Sequence, residues 1–210
     1  LAVNCPNDKT RVGNRGPNAK IRAGQILAAL HSKSKPRGIE VNGVRIPVTK
    51  RFSNNMVKVM LSDNYEVEEA KMLEGLLRPD DRVLDLGAGV GYLSTLAAKQ
   101  LAPGAVMAVE ADPDLVEACR RTFDENDVEV TLVHAAVAAA EGLVPLLRAE
   151  DFWSNTAATE AGECTVDVPG ARFNDLVSAH KPTVIVCDIE GAEKHLCSYM
   201  LPDYLRAVLI

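Results

Sequence analysis

The chain has 210 residues, 47% of them hydrophobic and 25% charged, which predicts a globular domain with an appendage rather than two full domains. None of its five cysteines stands at C-x-x-C spacing, so neither a zinc site nor a redox pair is indicated. It also has no apolar run long enough to span a bilayer and no signal peptide, and the scattered cysteines fit reduced thiols. We therefore expect a cytoplasmic protein without a resident metal and without membrane contact.

The net charge of -6 is divided unevenly along the chain. Residues 1–58 carry twelve Lys and Arg against two acidic residues, and the remainder is strongly acidic. A basic segment of this kind is typical of an arm that binds an anionic partner. The alternative is a solvated surface that pairs with the acidic body, and it is favoured because no aromatic residues interleave with the basic ones.

The first part of the chain predicts an N-terminal extension, residues 1–61. Residues 1–19 indicate an irregular lead-in, and Ala19 to Ser32 has the apolar spacing of a short helix. Alternating residues around Asn42-Gly43 predict a hairpin with a two-residue turn. A helix is then expected from Ser62 to Leu77, at the start of a main domain that covers 62–210.

From Asp81 onward the pattern alternates between strand and helix. The predicted elements are strands at 82–86, 105–110, 128–134, 183–187 and 207–210, and helices at 92–101 and 114–124. Residues 139–170 interrupt this alternation and predict a helix turn and a small β-excursion. The expected fold class is α/β, with a doubly wound, mostly parallel, Rossmann-like sheet.

The most informative segment is the glycine loop Asp85-Leu86-Gly87-Ala88-Gly89-Val90-Gly91, which follows a strand and opens a helix. Glycines allow a ligand to approach the backbone closely. A carboxylate at Glu110, the end of the next strand, can accept hydrogen bonds from both hydroxyls of a ribose. A glycine turn that serves only strand–helix packing is the alternative.

The electrostatics of the loop discriminate between two classes of cofactor. Asp85 would repel the pyrophosphate of a dinucleotide, whereas it would attract the amino group of a methionine moiety. S-adenosylmethionine is therefore the expected cofactor.

Asp85 to Gly91 match D/E-x-G-x-G-x-G, the first motif of the class I methyltransferases, which the chain resembles. More narrowly, the chain resembles the FkbM-type methyltransferases. Besides the glycine loop, this resemblance is carried by Tyr65 to Glu68, Val109 to Pro113 and Asp188 to Glu193.

The resemblance implies a cofactor site. Asp85 with Gly87 and Gly89 would hold the methionine end, and Glu110 the ribose. Ala111 and Asp112 would flank the adenine. The remaining implied cofactor contacts are Ala88, Gly91, Ala135 and Ala136. The Tyr65-Glu66 pair would close over the cofactor, or is an ordinary helix start.

The resemblance also implies O-methylation of a hydroxyl on a small molecule, a sugar or secondary metabolite. A hydroxyl acceptor needs a general base. Asp188, at a strand end, is the first candidate, and Glu190 is the second. Helix capping is the alternative for Asp188. His195 and Trp153 are less specific candidates.

Three further expectations concern the whole protein. The alternative functions are a non-catalytic cofactor-binding module and an RNA methyltransferase that uses the basic arm. A homo-oligomer is possible. Class I methyltransferases usually finish with an antiparallel hairpin, whereas this chain stops at Ile210 and starts at Leu1. We therefore expect missing residues at both ends, or a partner that completes the sheet edge.

Overall fold

The computed structural model describes residues 36–49, 52–62, 65–147, 156–157, 165–189 and 201–210. The predicted lead-in over 1–19 and the helix from Ala19 to Ser32 lie outside these ranges. Within them, no helix is both long and apolar enough to cross a membrane.

A five-stranded parallel sheet forms the centre of the molecule. Its strands are β3 (Val83–Leu86), β4 (Val106–Glu110), β5 (Thr131–His134), β10 (Val184–Cys187) and β11 (Ala207–Leu209). Their order is β11-β10-β3-β4-β5, so the order reverses beside β3. All four strand pairs are parallel, and the carboxyl ends of the strands lie at one edge. In open sheets of this kind, ligands bind at that edge.

Helices cover both faces of this sheet, as a doubly wound fold requires. One face packs against α2 (Val67–Leu76), α3 (Tyr92–Ala98) and α4 (Pro113–Glu125), and the other against α5 (Phe173–His180). Neighbouring strand residues alternate between these cores, because successive side chains of a strand point to opposite faces. The predicted α/β fold class is confirmed.

The hairpin predicted around Asn42-Gly43 is also confirmed. Strands β1 (Gly38–Val41) and β2 (Val44–Pro47) pair antiparallel, and both turn residues have positive φ, 46° and 73°. The hydrophobic side chains of the hairpin are buried in the same core as α3 and α4. Although residues 38–47 were predicted to belong to an extension, they pack as part of the main domain's core.

The single helix predicted from Ser62 to Leu77 is wrong. The structure has α1 (Asn54–Leu61), capped by the Ser53 hydroxyl, and a separate α2 that begins at Val67. Glu66 adopts the left-handed backbone conformation before α2. A continuous right-handed helix cannot pass through such a residue.

A second, four-stranded sheet follows β5. Its strand order is β6-β9-β7-β8, from β6 (Ala136–Ala138), β7 (Gly142–Leu147), β8 (Thr156–Ala157) and β9 (Thr165–Arg172). The predicted β-excursion over 139–170 is therefore larger than expected, and no helix turn occurs in the described part of this range. Helix α5, which follows β9 directly, has no counterpart among the predicted elements.

Candidate functional site

The glycine loop joins β3 to α3 at the carboxyl edge of the sheet. Gly87, Gly89 and Gly91 all have positive φ, at 84°, 57° and 80°. A Cβ on Gly87 would lie 2.0 Å from the carbonyl oxygen of Asp188, and one on Gly91 would lie 2.7 Å from the Phe123 ring. Packing alone therefore requires glycine at two of these positions, whatever ligand the loop binds.

Asp85 is a buried carboxyl on β3, directly before the loop. One of its oxygens accepts a hydrogen bond from the Ser94 hydroxyl at 2.5 Å. The pKa of Asp85 is raised to about 6, chiefly by burial; the hydrogen bond from Ser94 opposes this shift, and the nearby Asp188 contributes to it. A cation bound beside this carboxyl would favour its charged form.

Glu110 ends β4 and ties the glycine loop to that strand. Its carboxyl oxygens accept hydrogen bonds from the backbone N–H groups of Gly89, Ala111 and Asp112, at 2.8 to 2.9 Å. Burial nevertheless raises the pKa of Glu110 to about 7, because these three bonds offset only part of the desolvation. The predicted ribose contact would use the remaining lone pairs of the carboxylate, and it stays a prediction.

The other predicted cofactor contacts surround Glu110. The Asp112 side chain caps α4 by accepting from the Asp114 N–H at 2.8 Å, a role that its position before Pro113 explains. Ala135 is buried and donates its N–H to the Glu110 carbonyl, and Ala136 begins β6. Their contacts with an adenine stay predictions.

A cavity of about 180 Å³ opens beside the loop, between α2 and the ends of β3, β10 and β11. Four of its lining residues carry carboxyl groups, namely Glu66, Glu69, Asp85 and Asp188, and none of the described residues that line it is basic. The others are Gly87, Ala88 and a set of apolar residues: Met72, Leu93, Val186, Cys187, Leu209 and Ile210. An acidic cavity with glycine backbone on one wall suits a ligand that carries positive charge and an apolar part.

Asp188, the predicted base, follows β10 and is exposed at this cavity. Its N–H donates to the Leu86 carbonyl at 2.9 Å, which fixes it against the end of β3. The structure thus brings Asp188 together with Asp85 and Gly87. Glu190, the second candidate, lies outside the described residues, as do Glu193, His195 and Trp153.

Glu66, which the family resemblance predicted to close over the cofactor together with Tyr65, lines this cavity. It has φ 46° and ψ 37°, and its carboxyl accepts a hydrogen bond from the Tyr65 hydroxyl. Removal from bulk solvent raises the pKa of Glu66 to about 8; the Tyr65 bond opposes this, and Asp85 and Asp188 add to it. The sequence signal was a glutamate in the capping position of a helix, where shorter side chains are preferred.

Within the described ranges, no group of three or more His, Cys, Asp or Glu side chains is arranged to hold a metal ion.

A family model decides the class of the site. Residues 45–142 match the TRM5/TYW2 methyltransferase domain. This range covers the hairpin strand β2, the glycine loop, Glu110 and the start of the second sheet. Together with the sheet order, the match gives the fold and the cofactor.

The chain contains an S-adenosylmethionine-dependent methyltransferase domain of the class I fold.

Curated proteins with a similar sequence are also methyltransferases. The chain is 34% identical over 122 residues to a ribosomal protein L11 methyltransferase of Symbiobacterium thermophilum, across 54% of this chain and 38% of that protein. It is 35% identical over 112 residues to the enzyme of the same name from Chloroflexus aurantiacus, across 52% and 32%. The chain thus spans about a third of the length of these relatives.

The chain is also similar to several solved structures. Those that the chain resembles include M. jannaschii TYW2 in complex with AdoMet, with a TM-score of 0.38 and 20% identity over 50% of this chain and 46% of that chain. Trm5b from Pyrococcus abyssi has a TM-score of 0.38 and 21% identity over 50% and 30%.

The predicted membership of the FkbM-type family is wrong, because the matching family model is the TRM5/TYW2 domain. The glycine motif that supported the prediction is common to class I methyltransferases in general. The narrower element, Asp188 to Glu193, lies beyond the matched residues and mostly outside the described ones. Predicted small-molecule O-methylation is not supported by these comparisons either; they favour the alternative of an RNA methyltransferase.

Proposed function

We propose that the protein methylates RNA, with tRNA as the first substrate class to test. The observation that carries this proposal is the match of residues 45–142 to the TRM5/TYW2 methyltransferase domain. It covers the glycine loop and Glu110, which are the parts of the site that hold the cofactor in this interpretation.

The charge distribution is consistent with an RNA substrate only if phosphate binds away from the cavity. Glu66, Glu69 and Asp188 on the cavity walls would repel a phosphate that came close. The segment 1–58, with twelve basic residues against two acidic ones, supplies the positive charge that a phosphate backbone requires. In this arrangement the basic segment holds the RNA backbone, and the cavity receives the methionine end of the cofactor.

The proposed reaction is an in-line displacement, in which the acceptor attacks the sulfonium methyl group of S-adenosylmethionine. The donor is already activated, so the protein aligns the acceptor and excludes water. Asp188, exposed at the cavity and fixed against β3, is the proposed base or orienting group for the acceptor. Gly87 and Gly89 would present backbone to the methionine moiety, and Glu110 would bind the ribose.

Methylation of a ribosomal protein is the second candidate. It is supported by the 34% identity over 122 residues to a ribosomal protein L11 methyltransferase. The acidic cavity also suits a lysine or terminal amine, because both are cationic before they lose a proton.

One transfer assay separates these candidates. The chain is incubated with S-adenosylmethionine labelled in its methyl group, together with unmodified tRNA transcripts or ribosomal protein L11. We expect label in nuclease-sensitive material, and its loss with Asp188→Asn. Label in the protein alone would favour the second candidate. If the cofactor binds but neither substrate is labelled, both proposals fail.

Salt dependence tests the role of the basic segment. If Lys33, Lys35 and Arg37 contact phosphates, changing all three to Gln should reduce the slope of log K against log salt by about one per contact. Lys71 and Arg120, which form exposed ion pairs with Glu68 and Glu117, serve as the control when changed to Gln. An equal effect of both sets would show that the segment has no specific role.

A further inference from the structure

Among the residues that cap the N-termini of the described helices, Glu66 is the one non-glycine residue with a left-handed backbone. In α1 and α4 the capping residues, Ser53 and Asp112, have extended backbone and accept a hydrogen bond from the first turn. Glu66 occupies the same position in α2, but its backbone is left-handed and its side chain makes no capping bond. A non-glycine residue adopts this conformation at a cost, and such strain is concentrated at ligand-binding sites.

The strained backbone directs the carboxyl into the acidic cavity. There, Glu66 lines the same wall as Asp85 and Asp188. The Tyr65 hydroxyl donates to its carboxyl, and the Tyr65 ring packs against Tyr92 with 5.5 Å between ring centroids. The side chain is thus held in place by its neighbours.

The titratable groups that face Glu66 from the described elements packed around it are three carboxyl groups and one phenol. They are Glu69 on α2, Asp85 on β3, Asp188 after β10, and the Tyr65 phenol. Several carboxyl groups around one small cavity repel one another when they are charged, and a bound cation would favour their charged forms. The arrangement is unfavourable without a positively charged ligand and becomes favourable with one.

We propose that Glu66 binds the α-ammonium group of S-adenosylmethionine, together with Asp85. The proposal rests on cofactor binding by the domain, and it adds a residue that the glycine motif does not contain. The ammonium has three N–H donors and needs acceptors, whereas the sulfonium has none. One Asp85 oxygen already accepts from Ser94, so the Glu66 carboxylate would supply acceptors that Asp85 alone does not.

Titration calorimetry with three ligands tests this assignment. S-adenosylmethionine and S-adenosylhomocysteine carry the ammonium, whereas 5′-deoxy-5′-methylthioadenosine lacks the whole amino-acid part. Glu66→Gln should weaken the first two by roughly 10- to 100-fold, the range for a hydrogen bond to a charged group, and leave the third unchanged. Glu74→Gln, which removes the same charge from an exposed position of α2, should change none of them by more than about 3-fold.

A second variant separates binding from folding. Glu66→Gly removes the carboxyl and suits the left-handed backbone, so it should fold at least as stably as the wild type while losing affinity as Glu66→Gln does. In addition, S-adenosylmethionine binding at pH 7 should release protons, visible as a dependence of the heat on the buffer, and Glu66→Gln should reduce that release.

Three results would overturn the proposal. These are equal weakening of all three ligands by Glu66→Gln, unchanged affinity in both Glu66 variants, and failure of the wild-type protein to bind S-adenosylmethionine. The titrations need no acceptor, so a failure to methylate RNA would refute the proposed function and leave this test intact.

Discussion

Replacing glycine by alanine should have opposite effects on the stability of the fold at two positions of the chain. Gly87→Ala should destabilise the fold by about 3 kcal/mol or more, because φ is +84° and the new Cβ would meet the Asp188 carbonyl oxygen at 2.0 Å. Gly75→Ala in α2, where the new Cβ meets nothing within 4 Å, should stabilise it by about 0.5–1 kcal/mol. Urea denaturation measures both, and equal stabilities would contradict the geometry.

A second prediction concerns the proposed base. Asp188→Asn should lower the rate of methyl transfer by roughly 10²- to 10⁴-fold, the usual contribution of a positioned base. Affinity for S-adenosylmethionine should change little. Single-turnover transfer and calorimetry measure the two effects. Asp80→Asn, which removes an exposed charge at the opposite edge of the sheet, should leave both unchanged, and a matching loss there would refute the assignment.

At the scale of elements, one side chain makes several of the hydrogen bonds that attach the hairpin to the domain. Asn126, at the end of α4, exchanges hydrogen bonds with both backbone groups of Arg45, at 3.0 and 2.7 Å. It also donates to the Thr122 carbonyl and accepts from the Lys99 ammonium. Asn126→Ala should therefore cost about 1–3 kcal/mol and raise hydrogen exchange in β1 and β2.

Arg45→Ala is the control for the hairpin prediction. It keeps the Arg45 backbone and removes only an exposed ion pair with Glu125 at 3.5 Å, so it should cost less than about 1 kcal/mol. If Asn126→Ala were no more destabilising than this control, the hairpin would be held by its apolar core contacts and by its hydrogen bonds with Tyr92 and Lys99.

For the whole molecule, stability should depend on pH through the acidic site. The pKa values of Glu66 and Glu110 are raised to about 8 and 7, from 4.5, so the folded state holds their protons more tightly than the unfolded state. The unfolding free energy of the ligand-free protein should therefore fall as pH rises toward 8. Saturating S-adenosylmethionine should reverse this trend, because it binds the charged carboxylates.

The contribution of His180 to the unfolding free energy has the opposite pH dependence, and it changes at lower pH. Burial and the neighbouring Arg82 lower its pKa below 6.5, so its contribution is lost as pH falls below that value. Unfolding by urea between pH 6.5 and 8 therefore isolates the carboxyl groups. Glu66→Gln should flatten the profile in this window, and a flat wild-type profile would show that the carboxyls are not desolvated as described.

Several parts of the fold were accessible from the sequence, since local patterns encode them. The Asn42-Gly43 turn needs two residues that tolerate positive φ, and the glycine loop follows a buried strand and opens a helix. The boundary between α1 and α2 and the second sheet were not accessible, because a left-handed Glu66 and pairing across residues 136–172 depend on distant contacts.

The sequence by itself determined the alternation of the central strands with α3 and α4, the hairpin turn and the loop with its acidic neighbours, because each depends on residues close together in the chain. Only the tertiary structure decided which groups meet. The carbonyl group of Asp188 lies against Gly87, and the Asp112 side chain caps α4. Glu66 and Asp85 line the same cavity. These residues are brought together because parallel strands end at one edge of the sheet, a relation that local sequence does not specify.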